Sequence, residues 1–397
     1  MLAPRIERDG MHGILLDLTP LVTPSTLRGI GRYARGLVQG LSELPAPADF
    51  QLAGITADQK VQKLAVVNDL LGYVTRPAAL PLRNSRERRN RLITFSAPRV
   101  ARQAQSLLHL TDPDGFPFSK PDGHCMTCHD LIPLILHRSY LMRVPWARPY
   151  RAFIEKLRYQ RARRVLAVSH ATKRDLCEQL DLPSDRVDVV WHGVDHHVFH
   201  TRKADHEIET IQRWLGSTRP YVLYVGAGDA RKDLDTLISA FARSRLADDA
   251  LLVIVGQLHP VRVKALKALA AQVGVSDRVK LTGYAEDALI PALYRGASVH
   301  VFASRYEGFG FPVVEALACG APTITSPNSS LDEVAGDAAL IVPCGEPEVL
   351  ARGLERVFFD TAYATDLRQR GLARAAGFTW RTCAEETLAF WRRALAP

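Results

Sequence analysis

The sequence predicts two doubly wound, Rossmann-like α/β domains, and three observations carry that expectation. At 397 residues the chain exceeds what one hydrophobic core usually organises. Short apolar, β-branched runs alternate with helical patterns along most of its length, as parallel strands buried on both faces require. A polar, charged stretch from His196 to Arg219 breaks this rhythm near the middle and precedes a fresh strand at Tyr221.

In the first half, strands are expected over 13–18, 51–55, 106–110, 126–131, 165–168 and 187–191. In the second half they are expected over 221–225, 251–255, 279–282, 299–303, 323–325 and 339–342. The resulting plan is an N-terminal domain over 1–197, a linker with some helix over 198–218, and a C-terminal domain over 219–376. Phe378, Thr379 and Trp380 introduce a last helical pattern, so 377–397 reads as a final helix. The stretch 57–100 mixes arginines with prolines and reads as an insertion or a loop.

Composition sets the class. Hydrophobic residues make up 47% and charged residues 23%, ordinary for a soluble globular protein. No apolar run reaches the roughly 18–20 residues that span a bilayer. Residues 1–10 are polar and mixed in charge, unlike a signal peptide, so a cytoplasmic protein is expected. Six scattered cysteines suit reduced thiols better than a disulfide framework.

Fifty-one Lys and Arg against 42 Asp and Glu give a net charge of +9, unevenly placed. One cluster holds Arg83, Arg86, Arg88, Arg89 and Arg91; another runs from Arg138 through Arg151 and Arg158 to Arg164. Such faces attract anionic lipid or a phosphorylated acceptor, or are simply solvated helix faces. Nucleic acid is the weakest partner, since no recognition motif or interleaved stacking aromatics accompany the arginines.

The chemistry concentrates after the strand expected to end near Ser304. Glu307 opens a turn, Gly308-Phe309-Gly310-Phe311 comes next, and Pro312 stands where a first helical residue would. Gly320 is placed to close that helix. The two turn glycines let backbone approach a ligand, and the helix start offers N–H groups and a positive dipole end to a diphosphate. Glu315 falls about one turn into the helix, so that both carboxylates can face one cleft and accept from vicinal sugar hydroxyls. Two glutamates so spaced are otherwise only a turn residue and an acid near a helix start.

The stretch from Glu307 to Glu315 resembles the signature of retaining glycosyltransferase family 4. So do Gly320-Ala321-Pro322-Thr323 and the run from Ser330 to Pro343. Gly226-Ala227-Gly228-Asp229-Ala230-Arg231-Lys232 resembles the family's loop that meets the donor pyrophosphate, except that Ala227 stands where many members carry arginine. Gly29 and Gly31, within Leu27-Arg28-Gly29-Ile30-Gly31-Arg32-Tyr33, resemble its glycine loop, and His129-Asp130 its His-Asp pair. Ser169, Lys173 and Trp191 through Asp195 also match.

The resemblance implies the GT-B fold, two Rossmann-like domains facing a central cleft, with the final helix returning to the first domain. It implies retaining transfer, in which Lys232 and Arg231 hold the phosphates, Glu307 the sugar hydroxyls and Glu315 the ribose. His129 would meet the sugar, while Gly29, Gly31 and Gly308 through Phe311 would line the donor. The wording is most similar to bacterial mannosyltransferases of surface polysaccharide assembly. The expected donor is therefore GDP-mannose, with UDP-sugars the alternative, and the expected acceptor is a saccharide or lipid-linked saccharide. No cofactor or metal is expected.

Other readings are weaker. Cys125, Cys128 and His129 fit a haem-attachment spacing, but read better as a strand delivering His129. Asp112-Pro113-Asp114 reads as a turn rather than a metal site. A dehydrogenase would want a third glycine where Ala34 stands. A non-catalytic saccharide-binding module has less reason to combine Glu307, Glu315 and Lys232.

Overall fold

The computed structural model describes residues 11–27, 29–45, 47, 49–55, 61–63, 95, 97–112, 123–136, 147–327 and 329–396. The arginine cluster 83–91, Arg138, Arg143, Pro113, Asp114 and most of 57–100 lie outside them. The chain divides into two compact units. One runs up to Gly193 and resumes at Thr379; the other is Val194–Phe378. Both crossings occur at one point, where the Val194 N–H donates to Phe378 O at 3.1 Å.

Six helices frame the core and the sites: α1 (Gly29–Glu43), α2 (Ala147–Gln160), α3 (Glu207–Leu215), α4 (Ile290–Gly296), α5 (Phe311–Ala318) and α6 (Trp380–Leu395). The first unit holds β1 (His12–Asp17), β2 (Phe50–Ile55), β3 (Val61–Lys63), β4 (Ser106–Leu110), β5 (His124–Cys128), β6 (Val165–Ala167) and β7 (Val187–Val189). Their order is β3-β2-β1-β4-β5-β6-β7, with only β3 antiparallel. The second unit holds β8 (Tyr221–Val225), β9 (Leu251–Val255), β10 (Val279–Gly283), β11 (Val299–Phe302), β12 (Thr323–Thr325) and β13 (Ala339–Ile341). All six are parallel, in the order β10-β9-β8-β11-β12-β13.

Every expected strand is present. β5 starts two residues earlier than expected, and it ends at Cys128 rather than 131, where Asp130 Oδ1 accepts from the Ile132 N–H at 3.0 Å at the start of a short helix. The edge strand β3 was not anticipated; it falls within the stretch read as an insertion or a loop. In both sheets the strand order reverses direction once, between β1 and β4 and between β8 and β11. Open α/β sheets bind ligands outside the carboxyl ends of strands at such a switch point. Two loops per unit are thereby singled out.

Residues 198–218 fold with the second unit. Ile211 and Leu215 of α3 join Tyr221, Leu293 and Tyr294 in its core, and Glu207 accepts from Arg295 at 2.5 Å. The last helix belongs to the first unit. There Gly36 and Gly40, one turn apart on α1, form a flat face under Trp380. A Cβ on Gly40 would lie 2.0 Å from the Trp380 carbonyl oxygen, so no side chain fits unless backbone moves.

A polar chain runs through that same core. Trp391 Nε1 donates to His109 Nδ1 at 2.8 Å, so the His109 proton sits on Nε2 and is donated to Thr127 Oγ1 at 3.0 Å. Thr127 shares a 3.1 Å hydrogen bond with the Tyr33 hydroxyl. All four side chains are fully buried, so α6, β4, β5 and α1 are tied by bonds that water cannot replace.

This packing has two measurable consequences. Burial lowers His109 to about 3 and His124 to about 4, and takes His192 well below its usual value. The unfolded chain therefore takes these protons first. Stability is complete above about pH 6.5 and falls as pH drops toward 4, each histidine costing about 1.4 kcal/mol per pH unit. A thermal unfolding midpoint that stays flat across that window contradicts it. Gly40→Ala should cost about 1–3 kcal/mol in denaturant unfolding, whereas a control at an exposed position of the same helix, Ser42→Ala, should cost under about 0.5.

Candidate functional site

In the second unit the two switch-point loops meet. After β8 the chain turns through Ala230–Lys232 into Asp233, whose φ of +52° is left-handed. That conformation is held from outside: Asp233 Oδ1 accepts from Arg305 at 2.9 Å and Oδ2 from the Gly345 N–H at 2.7 Å. After β11, the Arg305 N–H and the Ser304 hydroxyl both donate to Arg231 O, at 2.7 and 3.1 Å. The loops are thus joined through backbone before any ligand is considered.

Their side chains converge on one carboxylate. Lys232 Nζ donates to Glu307 Oε1 at 2.6 Å and lies 4.4 Å over the Phe302 ring. Arg231 donates to the same Oε1, and also to Tyr306 O at 3.1 Å. Both Lys232 and Glu307 are 8% exposed. Burial alone would raise the Glu307 carboxyl, but Lys232 and Arg231 outweigh it and hold it below its usual value. Lys232 is drawn below the ordinary lysine range by burial and by Arg231, with Glu307 opposing. One buried carboxylate faces two cations. Asp229, half exposed and 3.8 Å from Arg231, screens the excess only weakly. The cluster is suited to an added anion.

The turn carrying Glu307 is fixed by two serines to which the sequence had assigned no role. The Glu307 N–H donates to Ser329 Oγ at 2.7 Å. The Ser330 hydroxyl is 3.0 Å from Glu307 O and 2.9 Å from Phe309 O, donating to the pair. Gly310 caps α5 with φ +102°, and a Cβ there would strike Leu331 at 2.6 Å, so glycine is required on both counts. Pro312 is the second rather than the first residue of the helix. The far end closes as the spacing implied, with Gly320 and Ala321 N–H groups returning to Leu317 and Ala316 carbonyls at 3.0 and 2.9 Å. The Phe309 ring packs edge-on against Phe311 and Phe378.

Glu315 is the only charged residue of α5 and is buried. The structure places its Oε2 under the Tyr294 hydroxyl, which donates at 3.1 Å. Arg231, Lys232 and Glu307 are thus brought into direct contact, while Glu315 is set against α4.

The first unit has its own cluster at the carboxyl ends of β1, β4 and β5. His129 Nε2 is 2.7 Å from Thr111 O, and since a carbonyl only accepts, the proton is on Nε2. Burial lowers this histidine, so it is neutral and its Nδ1 is an acceptor. Tyr33 stands edge-on to it at 5.1 Å and packs at a tilt, 4.6 Å between ring centroids, against His192, a residue named only within the Trp191–Asp195 match. Asp112 is buried and accepts from Ser25 at 3.3 Å. Gly29 opens α1, and Gly31 lets the preceding turn close on it, since a Cβ would lie 2.4 Å from Thr26 Cα. Cys125 and Cys128 are core residues whose thiols burial raises. Ser169 caps its helix by accepting from the Thr172 N–H at 3.0 Å.

Much of the basic segment is paired. Arg151 and Arg158 both bond Glu155, Lys156 bonds Asp181, and Arg164 bonds Asp188. No helix among the described residues is long and apolar enough to cross a membrane.

Two family models match the chain, glycosyltransferase family 4 over residues 27–198 and glycosyl transferases group 1 over 206–374. The serotype-specific mannosyltransferase WbdA of Escherichia coli is 28% identical over 68% of this chain, which spans a third (33%) of that protein's length. An MMP α-(1→4)-mannosyltransferase of Mycolicibacterium hassiacum is 29% identical over 71% of this chain and 66% of its own. Among solved structures, a sucrose-phosphate synthase from Thermosynechococcus elongatus aligns with a TM-score of 0.71 and 20% identity, covering 96% of this chain and 98% of that one. The Anabaena protein HepE, solved in complex with UDP, aligns with a TM-score of 0.70 and 16% identity over 96% and 100%. These likenesses give the fold as two-domain α/β GT-B. With its two halves matched in turn by the two family models, the chain belongs to glycosyltransferase family 4 and is similar to mannosyltransferases.

Proposed function

We propose that the protein transfers a hexosyl group, mannose from GDP-mannose, to a saccharide or lipid-linked saccharide with retention at the anomeric carbon. The observation that carries this reading is the Arg231–Lys232–Glu307 cluster, where one buried and one partly buried cation share one carboxylate at the sheet's switch point. Lys232 and Arg231 bind the diphosphate, and the N-terminal end of α5 adds its dipole. Glu307 accepts from the sugar hydroxyls, and Glu315 from the ribose. His129 offers its Nδ1 to a substrate hydroxyl. The mannosyltransferase relatives support mannose. HepE bound to UDP supports a UDP-sugar as the second reading.

In the reaction the bond from anomeric carbon to phosphate oxygen breaks, and a bond to the acceptor oxygen forms on the same face. The acceptor proton passes to the departing diphosphate. Negative charge grows on the phosphate oxygens as the sugar becomes oxocarbenium-like, so fixed cations stabilise the transition state more than the ground state. Lys232 and Arg231 need little reorganisation, because Phe302, Tyr306 O and Ser304 already hold them and their backbone in place.

Lys232→Ala and Glu307→Ala should each lower turnover by tenfold or more, on the order of 10²-fold, with the fold retained by circular dichroism. Near-normal turnover in either variant removes its assignment. A screen of GDP- and UDP-sugars, read by nucleotide release and by the anomeric configuration of the product, should select GDP-mannose with retention. An inverted product or another preferred donor overturns the corresponding part. Because the Glu307 carboxyl is lowered in the folded protein, its stabilisation is present above about pH 4.5 and lost as pH falls through its folded value. The stability gap between wild type and Glu307→Gln should therefore close on acidification; a gap that stays constant contradicts the ion pairing.

A further inference from the structure

We infer that Tyr294 is a positioning residue of the donor's ribose subsite, acting through its hydroxyl on the Glu315 carboxylate. The inference rests on the reading of Glu315 as the ribose acceptor and names the group that makes that carboxylate fit for it.

Glu315 is a single charge in a helix whose other seven residues are apolar, and it is only 2% exposed. A carboxylate so placed needs protein donors in place of water, and its direction must be fixed before a ligand arrives. Tyr294 meets both needs. Its hydroxyl has one proton, donated to Glu315 Oε2 at 3.1 Å. A carboxylate has about four acceptor positions, so one such bond orients it and leaves capacity for vicinal hydroxyls.

The hydroxyl is itself held by a rigid frame. The Tyr294 ring is fully buried, edge-on to His300 at 5.2 Å and to Phe199 at 6.2 Å. Its helix is pinned on both sides of the residue. Leu293 O accepts from the Tyr221 hydroxyl at 2.8 Å, and Arg295 is bonded to Glu207 and to His200 O. Tyr294 therefore delivers its proton from a fixed point, and rotation of Glu315 away from the ribose would break that bond. A tyrosine that merely filled the core would be matched by phenylalanine.

The test compares GDP with 2′,3′-dideoxy-GDP, or the UDP pair if the donor screen selects UDP, as competitive inhibitors of wild type and Tyr294→Phe. Wild type should bind the ribose nucleotide at least about tenfold more tightly than the dideoxy form, as expected for hydroxyls on a buried carboxylate. Tyr294→Phe should shrink that ratio about fivefold by weakening ribose binding alone. Donor KM should rise accordingly and kcat stay within about twofold, since the ribose is remote from the bond that breaks. The ratio is taken within one protein, so general loss of stability cancels from it. Tyr294→Phe combined with Glu315→Gln should give the ratio of Glu315→Gln alone. An unchanged ratio in Tyr294→Phe, or equal weakening toward both nucleotides, overturns the inference while leaving Glu315 on the ribose. A wild-type protein that binds both nucleotides equally removes the ribose assignment of Glu315 and the inference with it.

Discussion

The contact of Glu307 with Lys232 and Arg231 constrains both switch-point loops of the second unit. Taking three charged groups out of water is costly unless geometry and hydrogen bonds compensate. The neighbouring structure supplies that compensation. Ser304 and the Arg305 N–H hold the Arg231 carbonyl, Asp233 grips Arg305 and the Gly345 N–H, and Ser329 and Ser330 clamp the Glu307 turn. Each bond ties the loop after β8 or after β11 to something else. The strand order places those two loops side by side at the reversal of the sheet, which is why the charges can meet.

The first unit answers a different demand with similar parts. Its switch-point residues are neutral or self-satisfied: His129 spends its proton on Thr111 O, and Asp112 accepts from Ser25. Rigidity comes from the buried line Trp391–His109–Thr127–Tyr33 and from the glycine face that receives Trp380. The Tyr33 ring that ends this line also packs against His129 and His192. The last helix of the chain thus supports the orientation of a candidate substrate-binding histidine through the core rather than by touching it.

Strands and turns were legible because their signals are local. Apolar β-branched runs announce buried parallel strands, and glycines at 310 and 320 mark positions that the backbone shows to be left-handed. Glu307 and Lys232 were legible from motif wording, yet their direct contact was not, since it depends on which strands become neighbours. Tyr294 was invisible for the same reason: nothing in its surroundings along the chain distinguishes a core tyrosine from one aimed at Glu315. The early end of β5 was missed because Asp130 looked like part of a His-Asp motif and acts also as a helix-starting acceptor. The edge strand β3 was missed because three residues without a clear alternating pattern carry little signal.

Donor binding as proposed depends on the Arg231–Lys232–Glu307 cluster being the seat of the diphosphate. A crystal structure of the protein with a bound nucleoside diphosphate tests this most directly. Phosphate oxygens are expected within hydrogen-bond distance of Lys232 Nζ and the Arg231 guanidinium, at the carboxyl ends of β8 and β11. A nucleotide whose phosphates lie away from both side chains would contradict it.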